Sequence, residues 1–100
     1  MITITAVIKA KSGSEVAMRD ALLAVATHVA ANEPETIGFF ISQSEDDPRV
    51  FTTYERFGDK AAMDRHNGSA AVATFFGIAK PILDGDVILV TSKEVSATLR

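Results

Sequence analysis

Residues 2 to 10 alternate between two kinds of side chain along the chain. One side carries Ile2, Ile4, Ala6, Ile8 and Ala10, and the other carries Thr3, Thr5, Val7 and Lys9. A period of two is the signature of a β-strand, whose successive side chains point to opposite faces of a sheet. The chain therefore begins with a predicted strand.

The next segment changes to a helical period. Gly13 marks a turn and Ser14 is a candidate N-cap, after which apolar residues recur at helical spacing, at Met18, Leu22, Val25 and Val29. Pro34 cannot continue a helix, because it lacks the amide donor and disfavours helical geometry in the residue before it. We predict a helix that runs to about Asn32.

The remaining pattern predicts a hairpin, a broken helix and a last strand. Residues 36–57 read as two strands, TIGFFISQS and VFTTYERF, joined by the polar turn SEDDPR. Gly58 and Asp59 open a short helix, and HNGS predicts a left-handed cap at Gly68 and a new N-cap at Ser69. The next helix carries an apolar stripe at Val72, Phe75, Phe76, Ala79 and Ile82, with Pro81 near its end. The segment GDVILVTSKE is the final predicted strand.

The order βαββαβ is that of a ferredoxin-like α+β domain with an antiparallel sheet. We expect one domain over residues 1–100. Helices cover one sheet face, yet both faces are apolar: we place Ile37, Phe39 and Ile41 opposite Phe40, and Val87 and Leu89 opposite Ile88 and Val90. Since too little chain remains to cover the second face, a second copy is expected there, giving a homodimer that forms a dimeric α/β barrel.

Composition and charge exclude several classes of partner. The chain has 10 basic and 13 acidic residues and a net charge of −3, without a basic cluster, so neither nucleic acid nor a membrane surface is an expected partner. It contains no cysteine, which removes disulfides and thiolate chemistry. No apolar run approaches the roughly 20 residues needed to span a bilayer. We expect a cytoplasmic protein.

One segment carries a family resemblance. The run EPETIGFFISQSEDDPRVFTTYERFGDKAAMDRH, with its TIGF strand, its YER strand end and the histidine shortly after, resembles the antibiotic biosynthesis monooxygenase family of dimeric α+β barrel proteins, which includes small quinol monooxygenases. The family pattern usually has Pro-Gly before the second strand and a tryptophan after YER, where this chain has EPETIG and Phe57. The resemblance implies the fold more firmly than the substrate.

The resemblance also implies a reaction without metal, flavin or haem. A small phenolic, aromatic or enolic substrate loses a proton in a dry pocket, and its anion reduces dioxygen directly. Haem-degrading relatives carry asparagine, tryptophan and histidine at positions that fall at about Ala6, His66 and Phe76 here, so the haem ligand is missing. The expected cofactor is none.

Glu55 and His66 are the predicted catalytic residues. Histidine ordinarily titrates near neutral pH and suits a general base. Glu55 alternates with Phe51, Thr53 and Phe57 and so points to the helix-covered face, where an unpaired carboxylate is costly. We expect Glu55 to bond His66, or a backbone amide of the following helix, and His66 to border a pocket between sheet and helices. The structural alternatives are a helix-capping histidine and a buried acid that ties strand to helix.

The other candidates have structural explanations. Tyr54 and Arg56 lie on the opposite strand face and are assigned to the dimer interface, and His28, at the edge of the first helix's apolar stripe, is expected in solvent. Phenylalanines are core residues by default, but a subset is predicted to bind substrate, namely Phe51, Phe57, Phe75 and Phe76. Two separated histidines without a carboxylate cluster predict no metal site.

Three functions remain open from the sequence. The first is a cofactor-independent monooxygenase acting on a small quinol, phenolic or polyketide-like substrate. The second is an isomerase that moves a proton within a small carbonyl compound in the same pocket. The third is a non-catalytic ligand-binding dimer in which Glu55 and His66 only hold the fold.

Overall fold

Four antiparallel strands form one sheet in the computed structural model, which describes residues 1–100. The strands are β1 (Ile2–Lys9), β2 (Thr36–Gln43), β3 (Val50–Phe57) and β4 (Ile88–Lys93), in the order β2-β3-β1-β4. The helices are α1 (Glu15–Asn32), α2 (Lys60–Asn67) and α3 (Ala70–Ala79), followed by a 3₁₀ turn at Lys80–Ile82. The ferredoxin-like prediction is confirmed, including the break in the second helix. None of the helices combines the length and apolar character needed to cross a membrane.

The first helix begins differently from the prediction. Ser14 occupies the N-cap position, but its side chain makes no capping hydrogen bond. Instead, the Glu15 carboxylate accepts from the Gly13 N–H at 2.8 Å, and Gly13 has a φ of +89° that a residue with a Cβ rarely adopts. The N-terminus of α1 is therefore held by Glu15, whose charge also suits the helix dipole.

A short junction joins α2 to α3, and each of the two helices begins with a side-chain cap. Asp59 accepts from the Ala62 N–H at 2.9 Å, and Ser69 accepts from the Val72 N–H at 3.2 Å, so both helices have side-chain caps. The prediction of a left-handed cap at Gly68 is wrong, since its φ is −89°. Only Gly68 and Ser69 join the two helices, so the chain continues right-handed into α3 instead of reversing.

The core lies between the helices and one face of the sheet. Its strand residues sit at alternate positions of β1 and β3, and α1 contributes an apolar stripe that packs on α3. The buried apolar residues of this cluster are Ala6, Ile8, Ala10, Met18, Ala21, Leu22, Val25, Val29, Phe51, Phe75 and Ala79. We call the side of the sheet that packs against the helices the covered face.

The other face of the sheet has no helix on it. One row of paired residues crosses all four strands, namely Phe40, Tyr54, Thr5 and Val90. Phe40 is 58% exposed, and Tyr54 and Val90 are exposed as well. We call this the open face, and its apolar character agrees with the sequence pattern.

Two details of the strands differ from the prediction. The register of β2 shifts between Thr36 and Gly38, which leaves Ile37 outside the pairing and exposed, whereas Phe39 and Ile41 pack on the core as expected. A β-bulge breaks the strict alternation on which the prediction for Ile37 depended. The last strand begins at Ile88 rather than Gly85.

Candidate active site

Strand β3 brings an acidic side chain onto the covered face. Phe51, Thr53, Glu55 and Phe57 alternate along β3 and are all buried. In the sheet, Glu55 pairs with Phe39 of β2 and is opposite Ile4 of β1. A carboxylate in this setting needs polar partners, because burying it alone would be costly.

Glu55 finds those partners in His66 and Thr53. Its Oε1 lies 3.1 Å from His66 Nε2, and its Oε2 accepts the Thr53 hydroxyl at 2.7 Å. The His66 side chain, in the last turn of α2, is 3% exposed and that of Glu55 is 9% exposed. The predicted contact between Glu55 and His66 is confirmed.

A second carboxylate, which the sequence analysis missed, contacts the other side of the same ring. Glu33 Oε1 lies 2.8 Å from His66 Nδ1 and also accepts the Thr36 hydroxyl at 2.8 Å. The Glu33 backbone follows α1 directly and is tied to it by a hydrogen bond to the Val29 carbonyl. No periodicity marks Glu33, and the only sequence signal is an acid beside Pro34, where a helix ends close to the next strand.

His28 extends this chain of contacts to the surface. Its Nε2 lies 3.1 Å from Glu33 Oε2, although the two atoms are not aligned for a hydrogen bond. Asn32 Nδ2 lies 3.3 Å from His28 Nδ1 on the other side of the ring. We expected His28 in solvent, and its side chain is 31% exposed, but it also pairs with Glu33.

The two carboxylates favour the charged form of His66. Burial by itself lowers the pKa of His66, but the hydrogen bonds that its ring donates to Glu55 and Glu33, and the charges of both carboxylates, more than offset this and raise the pKa above the ordinary 6.5. Because each ring nitrogen faces a carboxylate oxygen, the arrangement fits an imidazolium that donates two hydrogen bonds. His66 therefore has no free nitrogen with which to act as a base alone.

Aromatic rings shield the imidazole from water. The ring centroids of Phe39 and Phe57 lie 5.5 Å and 5.4 Å from that of His66, with tilted planes. Such contacts fix the plane of the imidazole and lower the local dielectric constant, which strengthens the hydrogen bonds to the carboxylates.

A cavity of about 70 Å³ adjoins Glu55 and His66. Its wall is mostly apolar, and its polar members are Thr53, Glu55, His66 and Asn67. The space is enough for about two water molecules at the density of the liquid. The prediction that His66 borders a pocket between sheet and helices is confirmed.

The four phenylalanines predicted to bind substrate divide into two pairs. Phe75 and Phe76 of α3 lie on the cavity wall. Phe51 and Phe57 do not, because the cavity lies over the middle of β3, at Thr53 and Glu55, and the two phenylalanines flank it as fully buried core residues. The arrangement thus supports a substrate contact for Phe75 and Phe76 but not for Phe51 and Phe57.

The titratable side chains do not form a metal site. No group of three or more histidine, aspartate or glutamate side chains is arranged to hold a metal ion. The polar groups on the cavity wall include a buried carboxylate and an imidazole whose charged form the carboxylates favour.

Comparison with known proteins identifies the family. The model of the family described as antibiotic biosynthesis monooxygenase matches residues 1–77. The chain belongs to the antibiotic biosynthesis monooxygenase family. The match includes Glu33, Glu55 and His66, and the resemblance seen in the sequence is confirmed. A search of curated proteins found no match.

Solved structures share the fold at low sequence identity. A protein of Caulobacter crescentus CB15, named as a candidate antibiotic biosynthesis monooxygenase, has a TM-score of 0.88 at 20% identity, covering 95% of this chain and 90% of its own. A protein of Mycobacterium tuberculosis has a TM-score of 0.88 at 18% identity, with 98% of each chain covered. A third structure, named antibiotic biosynthesis monooxygenase, has a TM-score of 0.87 at 18% identity over 96% of this chain and all of its own. These likenesses establish the fold of the family member described here.

Proposed function

We propose that this protein is a cofactor-independent monooxygenase that oxidises a small quinol, phenolic or polyketide-like aromatic substrate with dioxygen. The observation that carries the proposal is the buried Glu55–His66 pair on the wall of a mostly apolar cavity. Membership of the monooxygenase family supports the reaction type, and the substrate class follows from what this pair can do.

The first step is removal of a proton from a substrate hydroxyl. A carboxylate offers about four lone-pair positions, and Glu55 uses two of them for Thr53 and His66. A free position remains for a substrate hydroxyl in the cavity. The His66 imidazolium lies beside it and stabilises the phenolate that forms. The base is thus the Glu55–His66 pair rather than His66 alone.

The substrate supplies the electrons. For a phenol oxidised to a quinone, one atom of dioxygen enters the ring, the other leaves as water, and all four electrons come from the substrate. The ionised substrate is a far better reductant than the neutral phenol, so proton removal activates it toward dioxygen. An apolar cavity admits dioxygen and keeps water from the reactive intermediates.

As part of this proposal the protein works as a homodimer in the cytoplasm. Phe40, Tyr54, Ile88 and Val90 are exposed on the open face, and monomers rarely expose a contiguous apolar surface of this kind. A two-fold contact between identical faces buries these side chains in both copies at once. Tyr54 and Arg56 are then interface residues, as the sequence predicts.

Oxygen uptake with a panel of hydroquinones and naphthols tests the function. Protein dialysed against a chelator and free of flavin absorbance should consume dioxygen in a saturable way, above the rate of heat-denatured protein. Glu55→Gln should abolish most of this rate, whereas Glu45→Gln, at an exposed surface acid, should not.

Other outcomes of the same experiments would overturn the proposed role of the pair or support one of the two alternative functions. Uptake that is equal in the wild type and Glu55→Gln would overturn the proposed role of the pair. Proton exchange into a small carbonyl compound without oxygen uptake would instead support an isomerase. Binding of phenols with neither activity would support a non-catalytic ligand-binding dimer.

A further inference from the structure

The cavity beside Glu55 opens at one edge of the sheet. Most of its lining side chains are buried or half-buried, and the exposed ones are Asn67, Phe76 and Leu89. Asn67 directly follows His66, whereas the other two are apolar residues of α3 and β4, 43% and 53% exposed. Exposed side chains on a cavity wall mark the place where the cavity meets solvent. We call Phe76 and Leu89 the mouth of the cavity.

The mouth exists because the helices leave β4 uncovered. Leu89 pairs with Ala6, which belongs to the core, so both side chains lie on the covered face. All six residues of β4 are nevertheless exposed, because β4 packs on β1, α3 packs on α1, and no helix makes an extensive contact with β4. Association through the open face would not bury Leu89, since its side chain points to the other side of the sheet.

A row of paired residues leads from the catalytic pair to the mouth. Thr53, Ala6 and Leu89 pair across β3, β1 and β4, and all three line the cavity. At one end, the Thr53 hydroxyl donates to Glu55 at 2.7 Å. Two strand spacings, or about 10 Å, separate the two ends of the row. Because the middle residue has only a methyl group, the space above the sheet stays open along the row.

The enclosed space is too small for an aromatic substrate on its own. The cavity measures about 70 Å³. By comparison, an apolar cavity of roughly 150 Å³ holds benzene. An aromatic ring whose hydroxyl reaches Glu55 must therefore also use the space at the mouth. Phe76 can yield this space by turning outward, because its partly exposed ring has one aromatic partner, Phe75, at 5.2 Å between centroids.

We propose that the mouth binds an apolar substituent of the substrate, so that this protein prefers a phenol with an alkyl chain opposite its hydroxyl group. The fate of the hydroxyl rests on the proposed function, but the binding itself requires no reaction. With the hydroxyl at Glu55, a single ring does not span the row of about 10 Å, so the Leu89 end is left for a group on the far side of the ring.

The chemistry of the mouth favours an apolar group at that end. Phe76 and Leu89 expose apolar surface that such a group removes from water. The charged side chains on the cavity wall are those of Glu55 and His66, at the other end of the row, so the mouth offers no partner to a charged substituent.

The test is the binding of alkylphenols, measured by calorimetry. The para-ethyl, para-propyl and para-butyl phenols carry progressively longer chains opposite the hydroxyl, and their ortho isomers have the same composition with the chain beside it. In the wild type, each methylene added to the para chain should lower Kd by about two- to fourfold, the range between partial and full burial. The ortho series should show no such gain, because its chains do not point along the row.

A matched pair of variants tests the location. Leu89→Asn and Ile78→Asn each replace an exposed apolar side chain by an amide, but Ile78, which is 45% exposed on α3, does not line the cavity. The gain per methylene should be lost in Leu89→Asn and kept in Ile78→Asn. Circular dichroism confirms that both variants are folded, as expected for changes at exposed positions.

The outcomes separate the mouth from the proposed oxidation. Affinity that does not rise along the para series, an equal rise in the ortho series, or a rise that survives in Leu89→Asn would overturn the mouth. Oxygen uptake without any dependence on chain length would likewise leave the proposed function and remove the mouth. A rise that is specific to the para series and lost in Leu89→Asn would establish the mouth, even in a protein that oxidises no phenol. If both proposals hold, kcat/KM rises along the para series.

Discussion

The two faces of the sheet both differ from the usual pattern of burial: charged groups are buried at the covered face, and apolar side chains are exposed on the open face. The covered face, which packs against the core, holds a carboxylate, and His66 and a second carboxylate lie beside it within hydrogen-bonding distance of one another. The open face, which would suit polar residues in a monomer, exposes Phe40 and Val90. A fold alone requires neither feature, since a buried charge costs stability and an exposed aromatic gains little.

This difference suggests a separate role for each face of the sheet. The buried polar cluster lies beside a cavity, where the proposed function gives it a role. The exposed apolar row borders an open groove of about 460 Å³ whose lining also includes the charged Arg56 and Glu94, so it suits a protein surface better than a small apolar ligand. In the function proposed above, chemistry belongs to the covered face and association to the open face.

The largest expected effect is on turnover. His66→Ala should lower the rate of oxygen uptake by about 10²–10⁴-fold, the usual scale for general acid–base catalysis. The same change leaves the carboxylates of Glu55 and Glu33 buried without their shared cation, so it should also cost about 3–5 kcal/mol in the free energy of unfolding. Rates are compared at a temperature where circular dichroism shows the variant folded. A folded variant with full activity would assign His66 a purely structural role.

A matched pair of truncations compares the faces directly. Phe75→Ala on the covered face should lower the free energy of unfolding by about 3–5 kcal/mol, because it opens a void in the core. Phe40→Ala on the open face removes a side chain that is largely exposed in the monomer, so its effect should depend on protein concentration. Chemical denaturation at two concentrations distinguishes them. A concentration-independent loss for Phe40→Ala would remove the evidence for an interface.

A charge on the open face should prevent association. Val7→Asp places a carboxylate in the row formed by Ser42, Thr52 and Ile88, where a facing copy would bury it. The wild type should sediment as a dimer at micromolar concentration and the variant as a monomer or an unfolded chain. Ser12→Asp, in an exposed turn, is the control. A monomeric wild type would contradict the barrel arrangement.

The smallest expected effect is a pH dependence of stability. The folded pKa of His66 is raised above 6.5, so the protonated ring stabilises the folded state fully below about pH 6.5, and this contribution is lost as pH rises through the folded pKa. Urea unfolding at several pH values should show stability falling above pH 6.5, with a shallower fall in His66→Gln. Identical slopes in the two proteins would mean that His66 is neutral in the fold.

Most of the fold could be predicted because it depends on local periodicity. Alternation in β1 and β3, the apolar stripe of α1 and the caps at Asp59 and Ser69 are readable over a few residues. Errors arose where tertiary structure overrides the local pattern. Ile37 leaves its predicted face through a bulge, and Gly68 stays right-handed because the next helix follows at once.

The site was only half predictable for the same reason. Glu55 and His66 could be found because strand direction and the return of the chain place them together. Glu33 is 33 residues from His66 along the chain and belongs to no motif or stripe, so only the tertiary fold, which brings the end of α1 next to His66, reveals it. The cavity position is equally non-local, which is why Phe51 and Phe57 were grouped with Phe75 and Phe76.

The most direct test of the central claim is whether the Glu55–His66 pair removes a proton from a bound phenol. A nitrophenol changes its absorption spectrum on ionisation, so its state can be read while it is bound to excess protein. The wild type should hold the nitrophenol as the phenolate at a pH where the free compound is mostly neutral, and Glu55→Gln should bind it as the neutral phenol. A bound phenol that stays neutral in the wild type, or ionises equally in both proteins, would contradict the account.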